Sequence, residues 1–526
     1  MIKPIINNYQ LFVFKQKDWG RDWIWLLGFF LAAVLLWSLG LGDVPLRDWD
    51  EGIRALIARE IYRSGNWLHP TMQGEPYLLK PPLLDWLIAI SYQFGGVNEL
   101  TTRLPGAILT ACGVPILYLV GRELFLQPPG AIFAAGVYLT LLPVVRHGRL
   151  AMLDGVVNSF YLLLLLSLLK ARQHQPYALG IGICLGLITF TKGLLVVPLA
   201  AIAFLFILVD RQVSLLRSPY LWLGLVIGNL PVLAWYIAQG QHYGATFWQV
   251  HFFSQGLERL SQTVEGNTGP VWYYLLELLK YSWPWLFFWP GGLSLAWRQR
   301  QTSRSRLVLL GTVVYLGLIS LMRTKLPWYV MPLYPFFALA VAAKLSQFWQ
   351  NDRPYPRVLV ALLGLIAVAG LGGCVYFIKL DPQPALMIMA LVLSLTMTIA
   401  AWQVKQNKRT FIPILFLGMY LSLSLLMSSK SWLWELNEAF PVKPVAALLQ
   451  KQTEPGTVIY TSFGYSRPSL DFYSDRQVIP ADAATLKQLW SNQSYLLLQQ
   501  PTLTQLQLPG SMSLGTAEGF TLVGKE

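Results

Sequence analysis

Charge is what this sequence has least of. Asp, Glu, Lys and Arg supply only 13% of the 526 residues, against 55% hydrophobic residues and 21 tryptophans. So little charge excludes an ordinary soluble globular protein and points to a chain that crosses a membrane many times. Cysteine is also scarce: Cys112, Cys184 and Cys374 are the 3 present, far apart and each inside an apolar run. They read as small core residues, which leaves no disulfide framework and no cysteine metal cluster. The 5 histidines (His69, His147, His174, His242 and His251) show no HExxH or comparable metal spacing. Internal repeats and low-complexity tracts are lacking as well.

What is plentiful is the long apolar run. Stretches of roughly 18 residues or more, enough to cross a bilayer, recur along the first four-fifths, and about thirteen can be placed. They lie near 23–42, 104–121, 129–145, 155–171, 177–191, 193–209, 219–238, 271–296, 307–322, 328–345, 358–378, 385–403 and 411–428. Basic residues outnumber acidic ones, 40 to 26, for a formal +14. Lys15, Lys17 and Arg21 precede the first run, and Lys170, Arg172, Arg211, Arg217, Arg298, Arg300, Arg304, Arg306, Arg353, Arg357, Lys405, Lys408 and Arg409 flank later ones. With thirteen spans these clusters share one face, which is then cytoplasmic. The positive charge is thus topogenic, and no nucleic-acid partner is implied. No small-residue cleavage site follows the first run, so it reads as a retained helix.

Residues 1–429 therefore read as a transmembrane domain, with two large segments on the outer side at 43–103 and 239–270. The first of these holds "RDWDEGIRALIAREIYRSGNWLHP", where Ile53, Leu56, Ile57 and Ile61 recur at helical spacing among Arg54, Arg59 and Arg63. That is the pattern of a helix lying in the membrane interface, its arginines facing head groups or phosphates. "PPLLDWLIAISYQF" is a second such helix. Residues 430–526 lose the hydropathy and alternate short strand and helix patterns, as in "TVIYTSF", "PVAALLQKQ" and "FTLVGKE". They read as a small extracytoplasmic α/β domain.

Ionisable groups at the membrane rim are costly and ask for a reason. Asp50 and Glu51 open the interfacial helix, where an acid serves either as a first-turn cap or as a catalytic carboxylate. Asp154 stands at the entrance of a span with Arg149 five residues earlier as a candidate counter-ion. Lys80, Lys192, Arg259 and Lys325 all fall at outer membrane ends. Each alone reads as a snorkelling anchor; together they could surround an anionic head group. A carboxylate beside such a cradle could act as general base on an acceptor hydroxyl while the cations neutralise a phosphate leaving group.

The stretch from "DEGIRALIAREIYRSGNWLHP" through "YLLKPPLLDWLIAISYQF" resembles the first outer loop of bacterial GT-C glycosyltransferases. These are the aminoarabinose transferases of lipid A and the dolichyl-phosphate-mannose protein mannosyltransferase-like family. The likeness continues through "GRLAMLDG", "TKGLLVVP", "GPVWYYLLELLKYSWPW" and "KLPWYVMPLYP", over about residues 20–345. It implies a GT-C fold in a prokaryotic plasma (inner) membrane. It also implies transfer of a sugar, with inversion, from a polyprenyl-phosphate carrier to a lipid, glycan or protein acceptor on the outer side. Asp50 corresponds to the family's catalytic acid with Glu51 beside it, and Asp154 to its second outer-loop acid. Lys80, Arg259 and Tyr329 correspond to the donor-phosphate groups, with Lys192, Lys325 and Arg149 as additions. Aminoarabinose transferases hold a structural zinc through a Glu and a His that align with Leu79 and Gly256, so no cofactor is expected here. The competing classes are a transporter or flippase of lipid-linked sugars and a non-catalytic membrane scaffold. A transporter would be expected to show paired halves and polar groups at mid-membrane.

Overall fold

The computed structural model describes residues 20, 22–252, 266–350, 354–434, 440–492 and 495–525. Among them, eight helical runs are long and apolar enough to cross a membrane on length and composition, or nine if the bent pair α6 (Pro128–Leu139) and α7 (Leu142–Gly148), which turns by 60°, counts as one. Proline at the start of α7 explains the break, since it cannot donate to the preceding turn. Three features account for the larger number of runs in the sequence. The helices α1 (Asp22–Ser38) and Phe411–Met427 are apolar but short. The run at 271–296 divides into Tyr273–Tyr281 and Trp289–Arg298. The run Gln175–Val209 consists of two passes, α9 (Ala178–Lys192) and α10 (Val196–Val209), meeting at Gly193 with φ 58°.

Ion pairs fix the direction of those passes. Asp210 after α10 meets Arg172 after α8 (Leu153–Ala171) at 3.1 Å, while Lys192 at the end of α9 meets Asp154 at the opposite end of α8. The same Asp210 accepts hydrogen bonds from Ser303 at 2.7 Å and Arg306 at 3.1 Å. Arg172, Arg306 and the Asp210 loop therefore share one face, as the charge pattern expects. Apolar side chains such as Trp222, Val226, Leu230 and Leu371 point outward, as lipid contact requires of a spanning bundle. Inside, Trp37, Tyr118, Tyr161, Trp285 and Phe337 belong to one continuous core.

At the face opposite Asp210 lie α2 (Asp50–Ser64), the small hairpin of β1 (Thr71–Met72) and β2 (Glu75–Pro76), and α3 (Leu83–Gly95). The apolar stripe of α2 packs Ile57, Ala58 and Ile61 against Leu84 and Ile88 of α3 and Leu153 and Val156 of α8. A capping box of Asn98 and Thr101 then starts α4 (Glu99–Ala111), which continues into α5 (Gly113–Leu124).

The C-terminal part carries a five-stranded mixed sheet, β3 (Val458–Thr461), β4 (Gln477–Pro480), β5 (Tyr495–Gln499), β6 (Ser511–Ala517) and β7 (Phe520–Lys525), in the order β4-β3-β5-β7-β6. β3 is parallel to β4 and β5, and β7 is antiparallel to β5 and β6. Val445 and Leu449 of helix Val442–Gln452 close one side of it over Ile459, Leu497 and Leu522. Helix Pro468–Ser474 of this unit rests on α2.

Candidate active site

Asp50 is the first residue of α2. The residue before it, Trp49, holds φ 65° and ψ −110° and supplies no side-chain cap. Such a backbone costs on the order of 1–3 kcal/mol in a non-glycine residue, and strain of that kind gathers at functional sites. Asp50 itself is half-buried, and among the described residues no side chain donates a hydrogen bond to its carboxylate. It lies within electrostatic reach of Arg54 and of Asp154.

Glu51, its neighbour, is placed quite differently. It is fully buried and accepts from Arg103 Nε and Nη2 at 2.8 Å each, and from the backbone N–H groups of Arg47 at 3.1 Å and Ala151 at 2.9 Å. Burial alone would push its pKa up, but the Arg103 charge and these four hydrogen bonds hold it below the usual carboxylate range. With every lone pair engaged, Glu51 fastens the start of α2 to α4 and to the loop before α8. Its oxygens face the scaffold, not open space.

The arginines of α2 are bound to protein groups, Arg54 and Arg59 buried and Arg63 at the surface, in place of the head-group contacts expected from the sequence. Arg54 donates to Asp85 at 2.7 Å and to the Tyr77 hydroxyl, Arg59 donates to the Phe472 carbonyl at 2.7 Å, and Arg63 pairs with Asp475 at 2.8 Å. Burial pushes the Asp85 carboxyl up to about 7 even with the Arg54 guanidinium beside it.

A cavity of about 460 Å³ opens beside this belt. Lys80, Asp154, Lys192 and Tyr329 line it together with Leu79 and His251, and its other walls are Leu194, Val197, Ala201, Leu318 and Met322. Lys192 Nζ donates to both Asp154 oxygens at 2.6 Å and stands 5.5 Å from the Tyr329 ring centroid. Two cations, a carboxylate, two phenols (Tyr315 and Tyr329) and an imidazole thus line a pocket whose other walls are mostly aliphatic. Such a pocket suits a molecule with an anionic head and an apolar tail.

Two other sequence candidates go elsewhere. Arg149 donates to the carbonyls of Met427 at 3.3 Å and Leu39, and its guanidinium lies 4.2 Å from the Trp432 ring. It joins two helix ends and is not the counter-ion of Asp154; Lys192 is. Lys325 donates to the carbonyls of Ile319 at 3.0 Å and Ser320 at 2.7 Å. It caps the helix Ser303–Leu321, whose last carbonyls have no partner within the helix. Arg259 and Gly256 lie outside the described residues.

His251, which shows no metal spacing in the sequence, lines the cavity. Its Nδ1 meets the Leu78 carbonyl at 3.0 Å and its Nε2 the Tyr236 hydroxyl at 3.1 Å. Burial, with the Lys80 charge nearby, drops its pKa to about 4, so the ring is neutral, donating from Nδ1 to the carbonyl and accepting at Nε2. It anchors the segment that carries Lys80. The residues described do not match the zinc ligand pair that the resemblance implies. Leu79 offers no donor atom, both ring nitrogens of His251 are engaged, and no three His, Cys, Asp or Glu groups converge on a metal position among the described residues.

The sequence reading missed Arg103 and Asp85. Both carry a charge beside an apolar run and so demanded a partner, yet nothing local says which: Glu51 is 52 residues from Arg103 and Arg54 is 31 from Asp85.

A family model described as dolichyl-phosphate-mannose-protein mannosyltransferase matches residues 79–237. The undecaprenyl phosphate-alpha-4-amino-4-deoxy-L-arabinose arabinosyl transferase 1 of Pseudomonas fluorescens is 28% identical over 385 residues, 70% of either chain. The corresponding transferase of Yersinia pestis is 27% identical over 420 residues, covering 77% of this chain and 72% of the relative. Among solved structures, ArnT from Cupriavidus metallidurans bound to undecaprenyl phosphate superposes with a TM-score of 0.79 at 19% identity, over 96% of this chain and 98% of that one. The Archaeoglobus fulgidus oligosaccharyltransferase follows at 0.52 and 13%, over 91% and 70%.

The chain is an integral membrane enzyme of the GT-C fold, a glycosyltransferase that depends on a polyprenyl-phosphate sugar. Its sequence is similar to those of the aminoarabinose transferases, and part of it to the protein mannosyltransferase family model.

Proposed function

We propose that this enzyme works on the extracytoplasmic side of a prokaryotic plasma membrane and that Asp50 is its general base. The donor phosphate lies in the 460 Å³ cavity against Lys80, Lys192 and Tyr329, and its polyprenyl chain runs along the apolar wall toward lipid. An acceptor hydroxyl attacks the anomeric carbon from the side opposite the phosphate, and the bond from that carbon to the phosphate oxygen breaks. The sugar is thereby inverted, the hydroxyl proton passes to Asp50, and polyprenyl phosphate leaves as an anion balanced by the lysines. An acceptor phosphate would attack without giving up a proton, leaving Asp50 only to orient it. Asp154 holds Lys192 in place, and Glu51 holds the start of α2. Arg259 remains a candidate phosphate ligand. A lipid, glycan or protein hydroxyl fits the chemistry. No cofactor enters the reading.

The observation that carries it is the meeting of Lys80, Lys192 and Asp154 in the lining of a largely apolar cavity, near a carboxylate, Asp50, that accepts no side-chain hydrogen bond among the described residues. Binding of undecaprenyl phosphate to the purified enzyme tests it. Lys80→Ala is expected to weaken binding ~10-fold or more, the loss of one charge-assisted hydrogen bond, while Asp50→Asn keeps the affinity and loses turnover. Unchanged affinity in Lys80→Ala would refute the assignment of the cavity. Full turnover in Asp50→Asn would refute the base, and failure of sugar-lipid to cross the membrane in that variant would favour a flippase.

A further inference from the structure

Four residues around Asp50 divide their attention between two parts of the molecule. Glu51 faces the membrane domain through Arg103. Asp48, Trp49 and Gly52 face the C-terminal domain. Asp48 is 1% exposed and accepts from Arg467 Nη1 at 2.5 Å and from the Ser469 hydroxyl. The Arg467 guanidinium is boxed by the rings of Phe440 at 4.0 Å, Tyr465 at 4.8 Å and Phe463 at 4.9 Å, so it has little room to follow a moving partner. Trp49 packs on Tyr465 with ring centroids 5.5 Å apart. A Cβ at position 52 would meet the Ser469 nitrogen at 2.7 Å, so only glycine lets helix Pro468–Ser474 approach the first turn of α2 this closely.

We propose that the C-terminal domain is a positioning element for the transfer reaction: Arg467 and Ser469 grip Asp48, and that grip sets the strained Trp49 backbone that presents Asp50 to the cavity. The inference rests on the reading of Asp50 as base and adds to it that the two domains build the site jointly. A buried carboxylate held from two directions is a rigid lever, and Asp50 is two residues beyond it. Loss of the grip lets the strained turn at Trp49 relax, and misplacement of a reacting group by about 1 Å costs on the order of 10²-fold in rate.

The same domain also grips the far end of α2 through the Arg63–Asp475 pair at 2.8 Å, where Arg63 is 54% exposed. That contact supplies the control. Full-length enzyme in membrane vesicles is compared as wild type, Arg467→Met, Ser469→Ala, Arg467→Lys, Arg63→Ala and Asp50→Asn. The sugar-modified product is read by mass spectrometry per mole of folded enzyme, and undecaprenyl phosphate affinity is measured alongside. Arg467→Met should lower product formation ~10²-fold with affinity unchanged, Ser469→Ala should lower it less, and Arg467→Lys should recover most of it. Arg63→Ala should keep wild-type product formation. Asp48→Asn combined with Arg467→Met should be no worse than either alone, because both remove one interaction. Wild-type product formation in both Arg467→Met and Ser469→Ala would overturn the proposal, and so would an equal loss in Arg63→Ala, which would mean mere docking. If Asp50→Asn is inactive while the Arg467 and Ser469 variants are normal, the positioning claim alone fails. If Asp50→Asn is fully active, the base assignment fails and this inference falls with it.

Discussion

Two polar clusters at opposite faces of the bundle use the same residue types to opposite ends. On one face, Asp210 is enclosed by Arg172, Ser303 and Arg306. It ties three loops together. On the other, Lys192 and Asp154 pair just as closely but line a 460 Å³ cavity with Lys80 and Tyr329. The Asp210 cluster reads as a fastening, and the pair that faces the cavity is the one we propose as part of a binding site. The contrast repeats at shorter range in Asp50 and Glu51, where adjacent carboxylates divide into one that is open and one that is fully engaged.

Breaking the fastening should be felt as stability. Glu51→Gln leaves Arg103 buried and uncompensated, and should cost about 3–5 kcal/mol, read as a large fall in Tm of the detergent-solubilised enzyme. A Tm within a degree or two of wild type would mean the pair is not structural. His251 sharpens the same comparison through pH. Its folded pKa of about 4 lies below the ordinary 6.5, so on acidification the unfolded chain takes up the proton first. Its contribution is full above 6.5 and is lost as pH falls from 6.5 towards about 4, a change of roughly 3 kcal/mol. Thermal melts at several pH values should show that acid-side slope in wild type and a flatter one in His251→Gln; equal slopes would contradict it.

Removing charge from the cavity should be felt as binding instead. Lys192→Ala should weaken undecaprenyl phosphate by about 1.5–3 kcal/mol, whereas Asp210→Asn should leave that affinity untouched and lower only Tm. Equal effects on affinity would erase the distinction between the two faces. The smallest expected effect is from metal removal. With Leu79 in place of a zinc ligand and His251 engaged elsewhere, prolonged chelation should change neither Tm nor turnover, and a loss restored by zinc would show that another ligand set exists.

Much of this architecture was legible in the hydropathy, because a span must be apolar over its whole length and its flanking charges must stay in water. Runs and faces follow from those two demands, and the resemblance pointed to Lys80, Asp154 and Tyr329, which do share a cavity. Long-range pairing was not legible. Arg149 lies five residues from Asp154 and invites a pairing, but α7 ends at Gly148, just before Arg149, whose side chain goes to the carbonyls of Leu39 and Met427, while Lys192 arrives from the next helix. Glu51 read as a second catalytic acid because it adjoins Asp50, but one residue along a helix is a turn of about 100°, enough to aim it at Arg103. The hold of the C-terminal domain on Asp48 was invisible for the same reason, being a contact across 419 residues.

The central claim is that Asp50, alone among these acids, acts on the acceptor. It is tested most directly by mass spectrometry of envelope lipids, glycans and proteins from cells expressing wild type or Asp50→Asn at matched levels. The account predicts that one sugar-modified product vanishes in the variant while its polyprenyl-phosphate sugar accumulates, which would also name donor and acceptor. Identical profiles from the two cells would contradict it.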